Sequence, residues 1–491
     1  MVADSPEPST GVVIPDTGGV RSTSALGRAV VADALRGVDP VGARAAESAT
    51  TWRRDYLVHF RRLVEAGLLS RDAALTIARD GLASLHGRIR FATRDGELAL
   101  AEVFRVDPAG DPLATATVTG TGTAQRELVL PYRGERLRGA DLNRQLDRWV
   151  AAGVIEPSCA EAVRLVAGNP QWLDLSDQRV VVLGAGAEMG PLTALLRWGA
   201  DMIAVDLPRP ALWQRLLGTA NRHAGRLHMP VVGDDAGPDL DRRAGADLVH
   251  DLGRIAGWLA GFDGPLVLGN YVYADGASNV RVAMAVDALT QHLLAQRADI
   301  ALAFLATPTD VFAVPADAVD EASRRYAQRS GIGRIRRPLR ALSGGRLLAR
   351  NYPRGADPGI NDSLVPQQGP NYALAKRLQR WRATTARDAG TAVSLTVAPA
   401  TRTRSVTKNR LLAAAFAGAH RFGIEVFEPA TSNTLMAALL VHDLRAAPPV
   451  QPHPWQDEAY AAAHGGLWRQ PYAPRSALGL AVLLGIGAVH G

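Results

Sequence analysis

From Arg179 onward, short apolar runs alternate with longer amphipathic stretches: VVVLG, MIAVD, MPVV, PLVLG, IALAFLA and VSLTVAP. Continuous apolar runs of strand length, each separated by a helix-length segment, predict a parallel sheet with crossover helices. Upstream the pattern differs. Residues 24–85 carry apolar positions at helical spacing, as in RRDYLVHFRRLVEAGLL. The runs RIRFAT, ALAEVFRV, TATVTG and ELVLPY that follow read as short antiparallel strands, with two helices near Leu142–Gly153 and Cys159–Val166. The predicted fold class is α/β: a doubly wound parallel sheet over residues 176–440, preceded by a smaller α+β accessory domain over 21–175. Residues 1–20, rich in Pro, Gly, Ser and Asp, are expected to be disordered. Residues 441–491 carry APPVQPHPW near their start and end in an apolar helix, Ala477 to Val489. They read as a wrapping segment whose helix is too short to cross a bilayer, so no stable membrane insertion is expected.

Composition narrows the function classes. At 491 residues with 21% charged and 47% hydrophobic side chains, the chain has the balance of a globular protein with more than one core's worth of residues. The single cysteine, Cys159, excludes an internal disulfide and a cysteine metal cage. No histidine pair stands at metal-ligand spacing, so no metal is expected. The N-terminus lacks a basic stretch followed by an apolar one, and a cytoplasmic location is expected. Net charge is +7, yet ten arginines fall between Ala322 and Gly355 with no acid among them, leaving the rest slightly acidic. One local patch is not the aromatic-laced basic face of a nucleic-acid binder, and no nucleic-acid partner is expected. A small-molecule substrate, anionic if the arginines touch it, and a homo-oligomer are the expected partners. Lysine occurs only twice, at Lys376 and Lys408. Where arginine is the default cation, a lysine points to a compact charge with a movable pKa.

The segment QRVVVLGAGAEMGPLTALLRWGADMIAVDLPR carries a phosphate-binding pattern. An apolar strand, Val180–Leu183, runs into Gly184, Gly186 and Gly190, with Met189 before the last of them. A helix and a second strand ending in Asp206 follow. Glycines let the backbone turn sharply and approach a pyrophosphate, and the helix N-terminus offers N–H groups to the anion. Asp206, 22 residues after Gly184, stands where a carboxylate can accept ribose hydroxyls, which favours NAD; Arg209 nearby makes NADP the alternative. A methyltransferase holding S-adenosylmethionine also uses a glycine turn and an acid after the second strand, and this segment alone does not separate the two.

Farther on, QQGPNYALAKRLQRWRATTARDAG places Tyr372 and Lys376 four residues apart at the start of a predicted helix, hence on one face. A phenol beside an ammonium is a proton-transfer pair, because the positive charge favours phenolate. The plain alternative is a solvated helix pair.

With these two motifs in that order, residues from about 179 to 440 resemble the short-chain dehydrogenase/reductase superfamily, a Rossmann fold. The resemblance maps the catalytic pair onto Tyr372 and Lys376, with Lys376 also holding the nicotinamide ribose. It maps the first turn onto Gly184, Gly186 and Gly190, with Glu188 where a glycine is usual. Val397, Ala398, Pro399 and Thr401 to Thr403 would flank the nicotinamide. The family's fourth strand ends in Asn-Asn-Ala-Gly; here only Gly269-Asn270 remains, and Asn270 is carried over to the cofactor set. The family's helix-four asparagine falls on Asp287, an acid in place of an amide. The catalytic hydroxyl from the end of strand five falls on Thr307, with Thr309 and Ser363 as rivals. The arginine patch, and a second basic cluster of Arg402, Arg404, Lys408 and Arg410, could meet a substrate or cofactor anion.

The expected activity is an NAD(P)-dependent oxidoreductase interconverting a hydroxyl and a carbonyl. The alternatives are an NAD-using epimerase or dehydratase of the same fold, a methyltransferase, and a nucleotide-sensing module without catalysis.

Overall fold

Seven strands make the central sheet of the computed structural model, which describes residues 10–489 apart from 234–238, 329–330, 409 and 449. In chain order they are β1 (Ala114–Thr119), β2 (Arg179–Leu183), β3 (Asp201–Val205), β4 (Arg226–Val231), β5 (Leu266–Asn270), β6 (Ile300–Ala306) and β7 (Val393–Val397). Across the sheet they lie β7-β6-β5-β2-β3-β4-β1. The last six are mutually parallel, and β1 is antiparallel to β4 at the edge.

The apolar runs form interior strands because both their faces are covered. Val181, Leu183, Ile203, Leu268, Leu302 and Phe304 enter one core. Their alternates Val180, Val182, Met202, Ala204 and Val267 enter the other. This is the two-residue period of a strand read out on two hydrophobic layers. Helices Thr23–Arg36, Trp52–Gly67, Arg71–Arg88, Ala277–Gln296 and Gly369–Asp388 contribute to the first core. Helices Gly139–Ala151, Pro157–Gly168, Leu192–Trp198 and Pro429–Ala446 contribute to the second.

Residues 21–175 therefore share both cores with the sheet instead of closing one of their own. TATVTG supplies the edge strand β1, in register Thr119 to Arg226 and Ala114 to Val231. ALAEVFRV is not a strand beyond Ala99: Leu100–Phe104 forms a 3₁₀ turn, which buries Leu100 and Val103 on one side. Within the expected disordered N-terminus, residues 1–9 lie outside the described residues. Gly11–Val13 forms a strand against Arg90–Thr93, and Val12, Val13 and Ile14 are buried. The C-terminal segment is interior as well: Ala462, His464 and Trp468 are fully buried. No helix among the described residues is long and apolar enough to cross a membrane.

Chain winding reverses between β2 and β5. The chain moves from β2 through β3 to β4 on one side, then returns to β5 and moves through β6 to β7 on the other. Such a reversal opens a crevice at the carboxyl ends of the strands. The loops reaching that edge are Gly184–Gly190, the one starting at Asp206, Tyr271–Gly276, Thr307–Asp310 and Ala398–Thr403.

Candidate active site

The glycine turn leaves β2 at Gly184, whose φ is +85°. A Cβ there would lie 2.9 Å from backbone atoms of Tyr271 and Val272, so both the dihedral and the close approach require glycine. The turn is tightly knitted. Gly184 N–H and Ala185 N–H donate to the Val205 carbonyl (2.9 and 3.3 Å), Ala187 N–H to Gly184 O (3.0 Å), and Gly190 N–H to Ala187 O (3.1 Å). Gly186 N–H donates to Asp206 Oδ2 at 2.7 Å, and Leu207 N–H to Asp206 Oδ1 at 2.8 Å. Burial nonetheless pushes the Asp206 carboxyl above its ordinary value, with those two amides and Arg209 opposing. The sequence suggested free amides at a helix start. Here two successive turns use the amides of the glycine segment internally, and the helix starts only at Leu192. Met189 packs against the second core.

Glu188, on the glycine turn, crosses the crevice. Its Oε2 accepts from the Arg404 backbone N–H at 2.7 Å and its Oε1 from Arg404 Nε at 2.9 Å. The loop after β7 is thereby tied over the glycine turn. Arg215 reaches the Gly186 carbonyl at 3.5 Å. Burial and the neighbouring Arg404 charge pull its guanidinium down, against Glu188 and Asp206. Thr401 does not present its hydroxyl to the crevice; it is buried, donating to Pro399 O (2.9 Å) and lying 2.6 Å from Ser432 Oγ. Pro399 is buried beside it, and Lys408 is exposed.

On the other side of the crevice, helix Gly369–Asp388 packs Leu374, Ala375, Leu378 and Trp381 into the first core. Tyr372 and Lys376 share a stripe that looks onto the end of β6 and remain half-buried. Tyr372 Oη lies 2.7 Å from Thr307 Oγ1. Lys376 Nζ donates to the Leu305 carbonyl at 3.2 Å and to Gln379 Oε1 at 3.1 Å. Gln379 Nε2 in turn donates to Asn270 Oδ1 at 3.1 Å. A polar line thus runs from the end of β5 through Gln379 to Lys376.

Among the rival hydroxyls, Thr309 Oγ1 accepts from Gln368 Nε2 at 2.9 Å, and Ser363 is buried, donating to Asn361. Thr307 makes the short 2.7 Å contact with Tyr372, and the Thr309 hydroxyl also acts on the phenol. Asp287 takes no part. It is buried in an ion pair with Arg382 (2.7 Å) and within 2.6 Å of His86, tying three helices together. Gln379, the amide that does join the line, sits three residues after Lys376 on the same stripe; that spacing was its only signal in the sequence.

The titration of the pair differs from the expectation. Burial pushes the Tyr372 phenol well above its ordinary value, and the hydrogen bonds of Thr307 and Thr309 only partly oppose it. The Lys376 ammonium donates to Leu305 and Gln379 and makes no hydrogen bond to the phenol. Burial pulls Lys376 down to about 8, with Asp310 opposing. At neutral pH the pair is therefore a phenol beside an ammonium.

The loop after β5 links both halves of the site. Val272 backs Gly184, the Tyr271 ring lies 3.7 Å from where a Gly190 Cβ would stand, and Tyr273 meets the Tyr372 ring edge-on at 6.2 Å. Comparison with family models, with curated proteins and with solved structures returns no match to the chain.

Proposed function

We propose that the chain is an NAD(P)-dependent oxidoreductase of the short-chain dehydrogenase/reductase type, working chiefly as a carbonyl reductase. The observation that carries this reading is the Thr307–Tyr372–Lys376 group at the carboxyl edge of the sheet, one loop away from the glycine turn. The order of the six parallel strands supports it: counted among themselves they run 3-2-1-4-5-6, the arrangement of a dinucleotide-binding Rossmann fold.

The residues fit a dinucleotide. Arg215 and Arg404 flank the turn with positive charge for a pyrophosphate. Each Asp206 oxygen accepts one amide and keeps capacity for a ribose hydroxyl. Arg209 and Arg215, both acting on Asp206, suit a 2′-phosphate and leave NADP as eligible as NAD. Lys376 would hold the nicotinamide-side ribose. A nicotinamide cofactor supplies the hydride when bound.

The chain's own residues handle the proton. Tyr372, held as a phenol, donates to a carbonyl oxygen, and Thr307 donates a second hydrogen bond to that oxygen. Lys376 keeps positive charge beside the developing negative charge on the phenol oxygen.

Calorimetric titration of the purified chain with NADH, NADPH and S-adenosylmethionine tests the reading. Binding of a reduced nicotinamide dinucleotide is expected; binding of S-adenosylmethionine alone would replace it with a methyltransferase. A nucleotide-binding module without turnover is the second reading. It is favoured by the Glu188 carboxylate standing against the turn where a pyrophosphate would approach. Dinucleotide binding with no NAD(P)H oxidation across a broad aldehyde and ketone panel would select it.

A further inference from the structure

Three stretches far apart in sequence contain no aspartate or glutamate: residues 322–356, 389–424 and 459–491. Parts of all three meet in one small core. Leu348, Phe422, Tyr472, Ala477 and Ala481 are buried together, with Tyr326, Ile332, Leu339 and Leu480 packed against them. The fold thus gathers acid-free segments, including the arginine-rich one, into a single lobe.

The terminal helix of that lobe, Pro474–Val489, is apolar along most of its length, but it buries its small side. It crosses helix Arg410–Ala419 in antiparallel fashion at paired glycines. A Cβ on Gly418 would run into the Ala481 carbonyl, and one on Gly485 into the Ala414 carbonyl. With Ala477, Ala481 and Gly485 taken by packing and Leu480 turned onto the core, three large side chains beyond them point outward. Leu483 is 67% exposed, Leu484 51% and Ile486 45%. A water-facing helix normally shows the reverse arrangement.

The neighbouring helix Arg336–Leu342 packs through Leu339 onto the same core and exposes Leu342, 87% open to solvent. Ile335 just before it is exposed as well, with Arg334, Arg337 and Arg346 exposed around them. Other arginines of the patch have local duties: Arg324 and Arg325 pair with Glu321, and Arg336 and Arg350 stack on Tyr326. Lys408 and Arg410 stand exposed at the start of the partner helix.

Exposed leucines and exposed arginines on one lobe, with no acid in any contributing segment, match an interface that is apolar inside and anionic at its surface. We propose that this lobe docks the protein on an anionic membrane surface, the outward leucines entering the headgroup boundary and the arginines meeting lipid phosphates. A two-fold dimer through the same face would bring arginine against arginine, which disfavours a second copy as the occupant. Among the described residues of the lobe no aromatic side chain stands with the exposed apolar ones, which separates it from a single-strand nucleic-acid platform.

Co-sedimentation of the full chain with phosphatidylcholine vesicles, with and without phosphatidylglycerol, tests the proposal. At least about tenfold stronger binding to the anionic vesicles is expected, weakening as salt rises. The double variants Leu483→Ser/Leu484→Ser and Arg334→Glu/Arg337→Glu should each lose about tenfold or more, with circular dichroism melting unchanged. Leu342→Ser, at the most exposed position, gives an independent reading should the helix variant unfold. Equal binding to both vesicle types, or anionic binding indifferent to these variants, overturns the proposal. So does a concentration-dependent dimer that the leucine variant abolishes in a chain that ignores vesicles.

Discussion

Glu188 holds Arg404 by two hydrogen bonds, to its backbone N–H and to its guanidinium, across 216 residues of chain. One end of this bridge is on the glycine turn and the other is on the loop after β7, so it spans the crevice where a dinucleotide would enter. Both partners keep some solvent exposure, so the bridge adds only about 1 kcal/mol or less to stability. Glu188→Gln should leave the urea midpoint almost unmoved while tightening NADPH binding severalfold, because a carboxylate no longer faces the pyrophosphate and Arg404 is released. Fluorescence titration checks this; an unchanged or weaker affinity would place the nucleotide elsewhere.

Thr307 contacts Tyr372, whereas Thr309 is engaged with Gln368 and Ser363 with Asn361. Thr307→Val should lower kcat by about 10²-fold, the usual cost of losing one donor to a developing oxyanion. Thr309→Val should cost far less. Ser363→Ala should act on stability, by about 1 kcal/mol from a lost buried hydrogen bond, and leave kcat nearly intact. Steady-state kinetics beside urea unfolding separates the three.

Lys376 gives the site a pH signature. An unfolded lysine keeps its proton to about 10.5, whereas burial brings the folded group down to about 8. Between these values the unfolded chain binds more protons than the folded one, so the contribution of this group to stability rises with pH across that window. Turnover that relies on the ammonium falls over the same range. Lys376→Met should abolish both trends, raise stability near neutral pH and impair turnover. A wild-type rate that climbs through pH 9 would contradict the role given to the ammonium.

Behind the site, Arg380 is buried between Asp310 (2.8 Å) and Glu458, which it meets at 2.7 Å through Nε. This joins the helix bearing Tyr372 to the loop after β6 and to the C-terminal segment. Removing one member leaves an uncompensated buried charge, so Glu458→Ala should cost about 3 kcal/mol in urea unfolding. A loss under about 1 kcal/mol would mean that water enters the cluster.

The interior strands were legible because a strand covered on both faces must be apolar throughout, and VVVL and LVLG are. The edge strand β1 was legible as a strand but not as part of this sheet, since its partner β4 lies more than a hundred residues on and only tertiary pairing selects it. Leu100 and Val103 stand three apart, a helical spacing within a run read as a strand. Tyr372 and Lys376 stand out by residue type and spacing, whereas Thr307 rests on the resemblance alone, beside its rivals Thr309 and Ser363. Gln379 could not, because an amide acquires its role only from the neighbours that folding supplies. Glu188 was visible as a departure, but Arg404 as its partner was not, and the internal use of the turn's amides follows from a second turn that glycine spacing does not announce.

In the proposed reaction Tyr372 delivers a proton beside a bound nicotinamide. NADPH and NADH oxidation by wild type and Tyr372→Phe, measured over a panel of aldehydes and ketones with nucleotide affinity determined in parallel, tests it most directly. Wild type is expected to reduce at least one carbonyl, and the variant to lose about 10³-fold or more in kcat while nucleotide affinity stays within about threefold. Equal turnover by the variant, or a wild-type chain that binds neither nucleotide, would contradict it.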